Sequence, residues 1–221
     1  MTKLIIFDMD GTLLDTIDDI ATACNYALTA CGCPVRKREE YFMLVGRGID
    51  NLFRGALPEE KRNEEMVAMM RSHFVPYYDV HGSDLSKPYD GMIELLEKLS
   101  EKGFALAIAS NKYQAGTEEL VRNFFGQFNF VRILGQREGK PIKPDPAIVL
   151  EAMEAIPGIC KDEVIYCGDS DVDMMTGINA GVRTIGVTWG FRTREELLSH
   201  KPWLLVDRPD EIFQAATQDI K

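Results

Sequence analysis

The sequence contains few of the residues that define several common protein classes. Its 221 residues include five cysteines, an odd number with no CxxC pair, so neither a disulfide framework nor a zinc site is indicated. The three histidines show no metal-ligand spacing. No apolar stretch approaches the ~20 residues of a membrane-spanning helix, and no basic region followed by an apolar one marks a signal peptide. We therefore expect a cytoplasmic protein.

Positive charge is also scarce. Lysine and arginine total 25 against 35 aspartate and glutamate residues, which gives a net charge of -10. Nucleic acids and anionic membranes recruit basic patches, so we expect neither as a partner. With 45% hydrophobic residues, the chain is long enough for one core and a smaller appended domain. We expect a monomer or homodimer that acts on a small molecule.

Acidic residues are concentrated at the ends of two predicted strands. The first strand, residues 3–7, runs directly into Asp8, Asp10, Gly11 and Thr12. If the strand continued, Asp8 and Asp10 would share one face of it, at the sheet edge where open α/β folds bind ligands. Carboxylates this close raise each other's pKa unless a cation lies between them. The pattern favours a Mg²⁺ site, although an Asp-rich turn without a ligand would have similar residues.

The second acidic segment follows a strand predicted over residues 163–167. A helix is predicted to start at Asp169 or Ser170, because both are good N-cap residues. Asp169 and Asp173 would then lie on one helical face, with Asp171 turned away. Capping alone would explain Asp169. Two strand ends with aligned carboxylates nevertheless make a metal site the better interpretation.

Two further segments have residues suited to binding phosphate. A strand predicted over residues 103–109 ends in Ser110 and Asn111, with a helix expected from about Tyr113. A hydroxyl, an amide and free backbone N–H groups at a helix start can bind an anion. Lys143 lies in a proline-rich turn, and the prolines fix the backbone direction and so aim the lysine. Helix capping by Ser110 or Asn111 and a solvated Lys143 are the alternatives.

These motifs together resemble the haloacid dehalogenase superfamily of phosphohydrolases. The family's four motifs occur in order over residues 8–173: DxDGT at Asp8 to Thr12, Ser110 after an apolar strand, Lys143 in a KPDP turn, and GDxxxD at Asp169 to Asp173. Each motif alone is a weak signal. Their order, with each at the correct end of a predicted strand or helix, makes the resemblance specific.

The resemblance implies a role for each motif residue. Asp8 would be the nucleophile that forms an aspartyl-phosphate, and Asp10 would be the general acid and base. Ser110 and Lys143 would bind phosphate, with Asn111 beside them, and the Thr12 hydroxyl would orient a carboxylate. Mg²⁺ would be bound by the carboxylates of Asp8 and Asp169 and by the backbone carbonyl of Asp10. Asp173 would be an outer ligand or a partner of Lys143.

The substrate is less well defined by these motifs. Asp10 favours phosphatases and phosphomutases, since dehalogenases of the family lack an Asp there and ion-pumping ATPases have threonine. Arg47 lies between two glycines, where phosphoglycolate phosphatases have a similar loop, and would bind a substrate carboxylate. Phosphoglycolate is therefore our first choice. The alternative substrates are pyrophosphate, a nucleoside monophosphate and a sugar phosphate. The alternative functions are a phosphomutase resembling β-phosphoglucomutase and a noncatalytic receiver module phosphorylated on Asp.

Hydrophobic periodicity divides the chain into two kinds of sequence. Residues 15–87 are predicted to be helical throughout, including helices at Tyr41–Leu44 and Glu60–Tyr77. Residues 1–14 and 88–221 alternate strands and helices, which specifies a parallel sheet with helices on both faces. We therefore predict an α/β fold with a doubly wound, Rossmann-like parallel sheet and an inserted small all-helical cap domain. The resemblance implies that this cap closes over the site.

Overall fold

The computed structural model describes residues 1–218, which form eight strands and ten α-helices. The strands are β1 (Leu4–Phe7), β2 (Leu14–Asp15), β3 (Lys87–Pro88), β4 (Ala105–Tyr113), β5 (Phe130–Gln136), β6 (Val164–Gly168), β7 (Arg183–Val187) and β8 (Leu204–Val206). The helices are α1 (Ile17–Ala30), α2 (Arg38–Tyr41), α3 (Ile49–Ala56), α4 (Glu64–His81), α5 (Met92–Glu101), α6 (Gln114–Phe125), α7 (Ala147–Met153), α8 (Asp171–Ala180), α9 (Arg194–Ser199) and α10 (Pro209–Thr217).

Six of the strands form one parallel sheet in the order β5-β4-β1-β6-β7-β8. The chain places β4 and β5 on one side of β1, and then returns to place β6, β7 and β8 on the other. The strand order therefore reverses at β1, and such a switch point opens a crevice outside the carboxyl ends of the strands. The predicted doubly wound parallel sheet is confirmed.

Alternating residues of the central strand pack against helices on opposite faces of the sheet. Ile5 and Phe7 belong to a cluster with residues of α5, α6 and α10. Leu4 and Ile6 belong to a second cluster with residues of α7 and α8. All four β1 side chains are fully buried, as expected for a strand covered on both faces. The burial of β1 holds the acidic segment that follows it firmly at the sheet edge.

The four helices between β2 and β3 pack around a third hydrophobic cluster of their own. The chain enters and leaves this helical insert through a short antiparallel ribbon, in which Leu14 pairs with Pro88 and Asp15 with Lys87. Phe191, from the loop after β7, is the residue outside the insert that is buried within this cluster. The insert therefore lies beside the carboxyl edge of the sheet and is connected to it by only two chain crossings.

Several predicted element boundaries differ from the structure. The helix predicted at Tyr41–Leu44 lies at Arg38–Tyr41. The helix predicted at Glu60–Tyr77 is divided into a 3₁₀ turn, Glu59–Lys61, and α4. The division occurs at Asn63, whose side chain accepts a hydrogen bond from the backbone N–H of Met66 at 2.9 Å, which is the geometry of an N-cap.

The strand after residue 103 is also longer than predicted, because β4 continues to Tyr113 and α6 starts only at Gln114. Its pairing with β5 is irregular between Ala109 and Tyr113. Ser110 and Asn111 therefore lie within the strand, not at a helix start. Within residues 1–218, no helix combines the length and apolar character needed to cross a membrane.

Candidate active site

The carboxyl ends of β1, β4 and β6 bring the predicted site residues together. Asp8 and Asp10 follow β1 directly, Ser110 lies near the end of β4, and Asp169 follows β6. Carboxylate oxygens of Asp8, Asp169 and Asp173 all lie within 4.8 Å of one another, and all three residues are buried. Segments separated by about 160 positions in the chain thus form one cluster, because parallel strands end at the same edge of the sheet.

Lys143 connects the two sides of this cluster. Its Nζ lies 2.8 Å from Asp8 Oδ1 and 2.7 Å from Asp173 Oδ1, and it donates a hydrogen bond to the Tyr166 hydroxyl at 3.0 Å. The side chain is 1% exposed. A buried ammonium group needs such partners to offset the loss of hydration. The proline-rich turn thus carries its lysine into the acidic cluster, with a cis Lys143–Pro144 bond.

The side chain of Asp173 is fully occupied by protein donors. Its Oδ1 accepts hydrogen bonds from Lys143 and from the Tyr166 hydroxyl, each at 2.7 Å. Its Oδ2 accepts from the Ser170 hydroxyl at 2.5 Å and the Ser170 N–H at 3.1 Å, closing a capping box at the start of α8. Both oxygens are therefore used to hold Lys143 and the helix start.

Asp169 lies before helix α8, which begins at Asp171 with Ser170 as its N-cap. The prediction that Asp169 and Asp173 share a helical face is therefore wrong: Ser170 caps the helix because its side chain bonds the N–H of Asp173. The Asp169 carboxylate accepts from the Thr12 hydroxyl at 3.1 Å and the Phe191 N–H at 2.7 Å.

Gly11 makes the close approach of Asp169 possible. A Cβ at position 11 would lie 2.3 Å from Asp169 Oδ2, and the φ angle of +87° is one that L side chains rarely adopt. The glycine of the first motif thus lets the turn after β1 pass directly against the carboxylate that follows β6.

Burial and mutual repulsion perturb the acidic cluster. Burial, followed by repulsion from Asp173, raises the pKa of Asp8 to about 7 despite its contact with Lys143. The same two causes raise the pKa of Asp169 well above its usual range. Burial alone would raise the pKa of Asp173 as well, but attraction to Lys143 outweighs it and lowers the value. Asp8 and Asp169 are therefore carboxylates whose charge the protein alone does not neutralise.

This donor set fits a magnesium ion. Four carboxylates, those of Asp8, Asp10, Asp169 and Asp173, face two ammonium groups, those of Lys112 and Lys143. Two of the four negative charges are therefore not balanced by lysine, and one divalent cation would neutralise them. Hard oxygen donors are the ligands that Mg²⁺ prefers. Of the three clustered acids, Asp8 and Asp169 have fewer protein donors than Asp173, so they suit direct ligation and Asp173 suits an outer position.

The two polar residues after Ala109 have different environments. The Asn111 amide donates to the backbone oxygens of Gly46 at 2.9 Å and Lys143 at 3.1 Å, and its oxygen accepts from the Lys143 N–H at 2.9 Å. This side chain therefore holds the backbone of Lys143. The Ser110 hydroxyl accepts from the Lys112 N–H at 3.2 Å and faces the same pocket as Asp8 and Asp10.

Lys112 is a site residue that sequence reasoning missed. Its Nζ lies 3.2 Å from Asp10 Oδ1, and the side chain is only 6% exposed. It also donates to the Tyr78 hydroxyl at 3.0 Å and lies 4.4 Å from the Tyr78 ring centroid. Thr16 donates to the same Asp10 oxygen at 2.7 Å. The sequence signal was a lysine two positions after Ser110, between a predicted strand and a predicted helix start.

Tyr166 and the loop after β7 were also missed. A tyrosine on a fully buried strand must find a partner for its hydroxyl, and this requirement was a usable signal for Tyr166. The loop after β7 gives no such signal in the sequence, because Phe191 contacts Asp169 through its backbone N–H and any residue other than proline could supply that group. A buried arginine of this loop, Arg192, donates to the backbone oxygens of Phe42 and Val45 in the insert.

A pocket of about 480 Å³ lies between the acidic edge and the insert. Asp8, Asp10 and the Ser110–Lys112 segment form its floor. Its opposite wall is mostly apolar and comes largely from the insert, with Ile20, Val45, Ile49, Leu52 and Phe74.

The structure does not bring Arg47 into this pocket. Its guanidinium donates to Asp171 Oδ2 at 2.5 Å, and the side chain is 52% exposed. The flanking glycines Gly46 and Gly48 do line the pocket. The loop was therefore located correctly from the sequence, while its arginine points to a surface carboxylate.

Fold and site together define a known class of enzyme. The family model of haloacid dehalogenase-like hydrolases matches residues 5–187, and the chain belongs to that family. The match includes β1, the insert, Lys143 and both acidic segments. The resemblance drawn from the four motifs is thereby confirmed, and the chain is a hydrolase of this family.

Individual relatives extend over nearly the whole chain. A phosphoglycolate phosphatase of Vibrio parahaemolyticus is 32% identical over 217 residues, which cover 96% of this chain and 95% of the relative. A phosphoglycolate phosphatase of Aquifex aeolicus is 31% identical, with 96% and 95% covered. The crystal structure of a candidate phosphoglycolate phosphatase from Lactobacillus delbrueckii superposes with a TM-score of 0.88 at 30% identity, covering 98% of this chain and 99% of the other.

Proposed function

We propose that the chain is a Mg²⁺-dependent phosphatase of small phosphate monoesters, with phosphoglycolate as the favoured substrate. The observation that carries this proposal is the buried cluster of Asp8, Asp169, Asp173 and Lys143 beside Asp10. The names of the similar proteins support the choice of phosphoglycolate.

In the first half-reaction, a carboxylate oxygen of Asp8 attacks phosphorus and the bond from phosphorus to the ester oxygen breaks. This gives an aspartyl-phosphate, which divides one difficult step into two. Asp10 donates a proton to the departing alkoxide. Thr16 and Lys112 both contact Asp10 Oδ1, and no residue in the described chain hydrogen-bonds Oδ2. We infer that Oδ2 carries the transferred proton.

In the second half-reaction, the Asp10 carboxylate removes a proton from water while the water oxygen attacks phosphorus. The bond from Asp8 to phosphorus breaks, and orthophosphate and the free Asp8 carboxylate are released. Lys143 and Ser110 face the phosphoryl oxygens and neutralise or hydrogen-bond them. Mg²⁺, held by Asp8, the Asp10 carbonyl and Asp169, would lower the repulsion between the carboxylate nucleophile and the phosphate.

The helical insert, residues 15–87, is proposed to act as a cap over this chemistry, separate from a catalytic core of residues 1–14 and 88–221. The ribbon of β2 and β3 marks the place where the chain crosses between them. The insert supplies the apolar wall of the pocket. That wall would exclude water other than the attacking molecule. A cytoplasmic location remains part of the proposal.

A panel of phosphate esters tests the proposed function. We expect release of orthophosphate with Mg²⁺, and a kcat/KM on phosphoglycolate above those on pyrophosphate, nucleoside monophosphates and sugar phosphates. The return of an isomeric sugar phosphate without orthophosphate would instead identify a phosphomutase. A stable phosphoprotein without turnover would identify a receiver module. Turnover without preference for phosphoglycolate would refute the substrate and leave the phosphatase assignment intact.

A further inference from the structure

The pocket offers unequal surroundings to the two ends of a substrate. Asp8, which lines the pocket and contacts Lys143, marks the end where phosphorus is proposed to react. The insert wall opposite is mostly apolar. Of the pocket-lining residues found in the described chain, Lys112 alone carries a positive charge. Arg47 and Arg192 are occupied elsewhere, by Asp171 and by backbone carbonyls of the insert.

We propose that Lys112 binds a substrate carboxylate located one carbon beyond the ester oxygen, and that Tyr78 of the insert fixes Lys112 for this role. The proposal rests on the proposed phosphatase function and deepens it, since it defines the substrate class as phosphate esters of short α-hydroxy acids. It also replaces Arg47 with Lys112 as the cation that recognises the carboxylate.

Distance supports this assignment. Lys112 Nζ lies 3.2 Å from Asp10 Oδ1. In the proposed mechanism the other oxygen of the same carboxyl group protonates the ester oxygen. In phosphoglycolate a single methylene separates the ester oxygen from the carboxylate. The carboxylate is thus within reach of Nζ when the ester oxygen contacts Asp10.

The hydrogen-bonding capacity of Lys112 points the same way. A lysine ammonium has three donors, and the structure uses two of them, on Asp10 and on the Tyr78 hydroxyl. A substrate carboxylate in the pocket would accept the third hydrogen bond.

The test compares two alkyl phosphates that differ in the carboxylate: phosphoglycolate and ethyl phosphate. Both release an alkoxide, so any effect of Lys112 on proton transfer from Asp10 cancels in the ratio of their kcat/KM values. For Lys112→Met we expect this ratio to fall by about tenfold to a hundredfold, the loss of one hydrogen bond between charged groups, with the loss mainly in KM. Lys140→Met, at an exposed lysine, should leave the ratio unchanged.

An unchanged ratio in Lys112→Met, with both substrates losing equally, would overturn the proposal and leave Lys112 as a residue that only positions Asp10. Tyr78→Phe gives an independent measurement if Lys112→Met does not fold. It should lower the same ratio by about threefold to tenfold, whereas Tyr77→Phe, on the same helix but stacked on Tyr26, should not. An unchanged ratio in Tyr78→Phe would refute the role of Tyr78.

The wild-type enzyme separates this proposal from the proposed function. If wild-type enzyme hydrolyses ethyl phosphate and phosphoglycolate equally well, phosphoglycolate is the wrong substrate and Lys112 has no carboxylate to recognise. If wild-type enzyme prefers phosphoglycolate and the preference survives Lys112→Met, the proposed function stands and the assignment of Lys112 is overturned.

Discussion

The carboxyl edge of the sheet and the facing wall of the insert use opposite chemistry around one pocket. The edge concentrates buried charges, and hydrogen bonds and ion pairs join its motifs to one another. The wall that lines the pocket is mostly apolar. Polar contacts between the insert and the edge lie around it, and they include Lys112 with Tyr78, Asn111 with Gly46, and Arg192 with backbone oxygens of the insert. A buried ionic network is rigid, because breaking one contact leaves an uncompensated charge. The difference supports the proposal that the reaction chemistry lies in the edge and that the wall excludes water, while Lys112 of the edge, held by Tyr78 of the insert, selects the substrate.

Asp8→Asn is the strongest test of the proposal that the edge carries the reaction chemistry. The amide has nearly the size of the carboxylate but is a poor nucleophile, so we expect kcat to fall by on the order of 10⁴-fold or more. Steady-state kinetics with circular dichroism would check that the loss is chemical and not structural. Asp171→Asn is the matched control, since Asp171 contacts Arg47 and Arg192 and not the cluster. Comparable losses in both variants would contradict the assignment of the nucleophile.

Removal of metal should have the next largest effect. Chelation should lower kcat/KM by about 10²–10⁴-fold, since the ion supplies several kcal/mol of charge neutralisation. Added Mg²⁺ should restore activity, and Ca²⁺ should do so poorly because it is larger and less exacting in geometry. Initial rates after exhaustive dialysis against chelator would measure this. Full activity in metal-free enzyme would show that Lys143 and Lys112 neutralise the edge by themselves.

Asp10→Asn and Leu52→Ala compare the edge with the wall directly. Asp10→Asn should lower kcat/KM, which reports formation of the aspartyl-phosphate, by about 10²–10⁴-fold on ethyl phosphate and far less on p-nitrophenyl phosphate, whose leaving group needs no proton. Hydrolysis of the intermediate should be slow with both esters, because Asp10 is the base in that step. Leu52→Ala, in the wall, should lower kcat/KM by less than about tenfold on either ester, chiefly through KM. If the effect of Leu52→Ala depended on the leaving group, the wall would take part in proton transfer, and the edge and the wall would not have separate roles.

The smallest expected effect concerns stability in the absence of metal. The pKa of Asp8 is raised from 3.8 to about 7 in the fold, so the folded state binds this proton more tightly than the unfolded chain. Its contribution to stability is therefore lost as pH rises from about 4 to 7. Metal-free Asp8→Asn should be more stable than wild type by roughly 1–3 kcal/mol at pH 8 and equal to it near pH 4. Thermal melts at both pH values would measure this, and Mg²⁺ should remove the advantage. An advantage of equal size at both pH values would contradict the assignment.

Local sequence patterns predicted much of the core edge. The apolar strand before Asp8, the capping residues around Ser170 and the prolines around Lys143 all act over a few residues, and the structure places each beside the cluster. The errors occurred where side-chain bonds decided an element's boundary. Asn63 divided a predicted helix, and Ser170 capped α8 so that Asp169 was left outside it. Both residues were visible in the sequence, but several nearby residues could equally have been caps.

The sequence by itself determined the parallel sheet, the family and the identities of the acids, because strand and helix periods and short motifs are properties of neighbouring residues. The family resemblance already pointed to Lys143 as a partner of Asp173, but only the tertiary structure showed that Lys112 also faces these acids. Arg47 and Lys112 are both basic residues beside a motif, yet Arg47 pairs with Asp171 at the surface while Lys112 is buried between Asp10 and Tyr78. The direction of a long side chain depends on partners that are distant in the chain, and only the packing of the insert against the sheet edge brings those partners within reach.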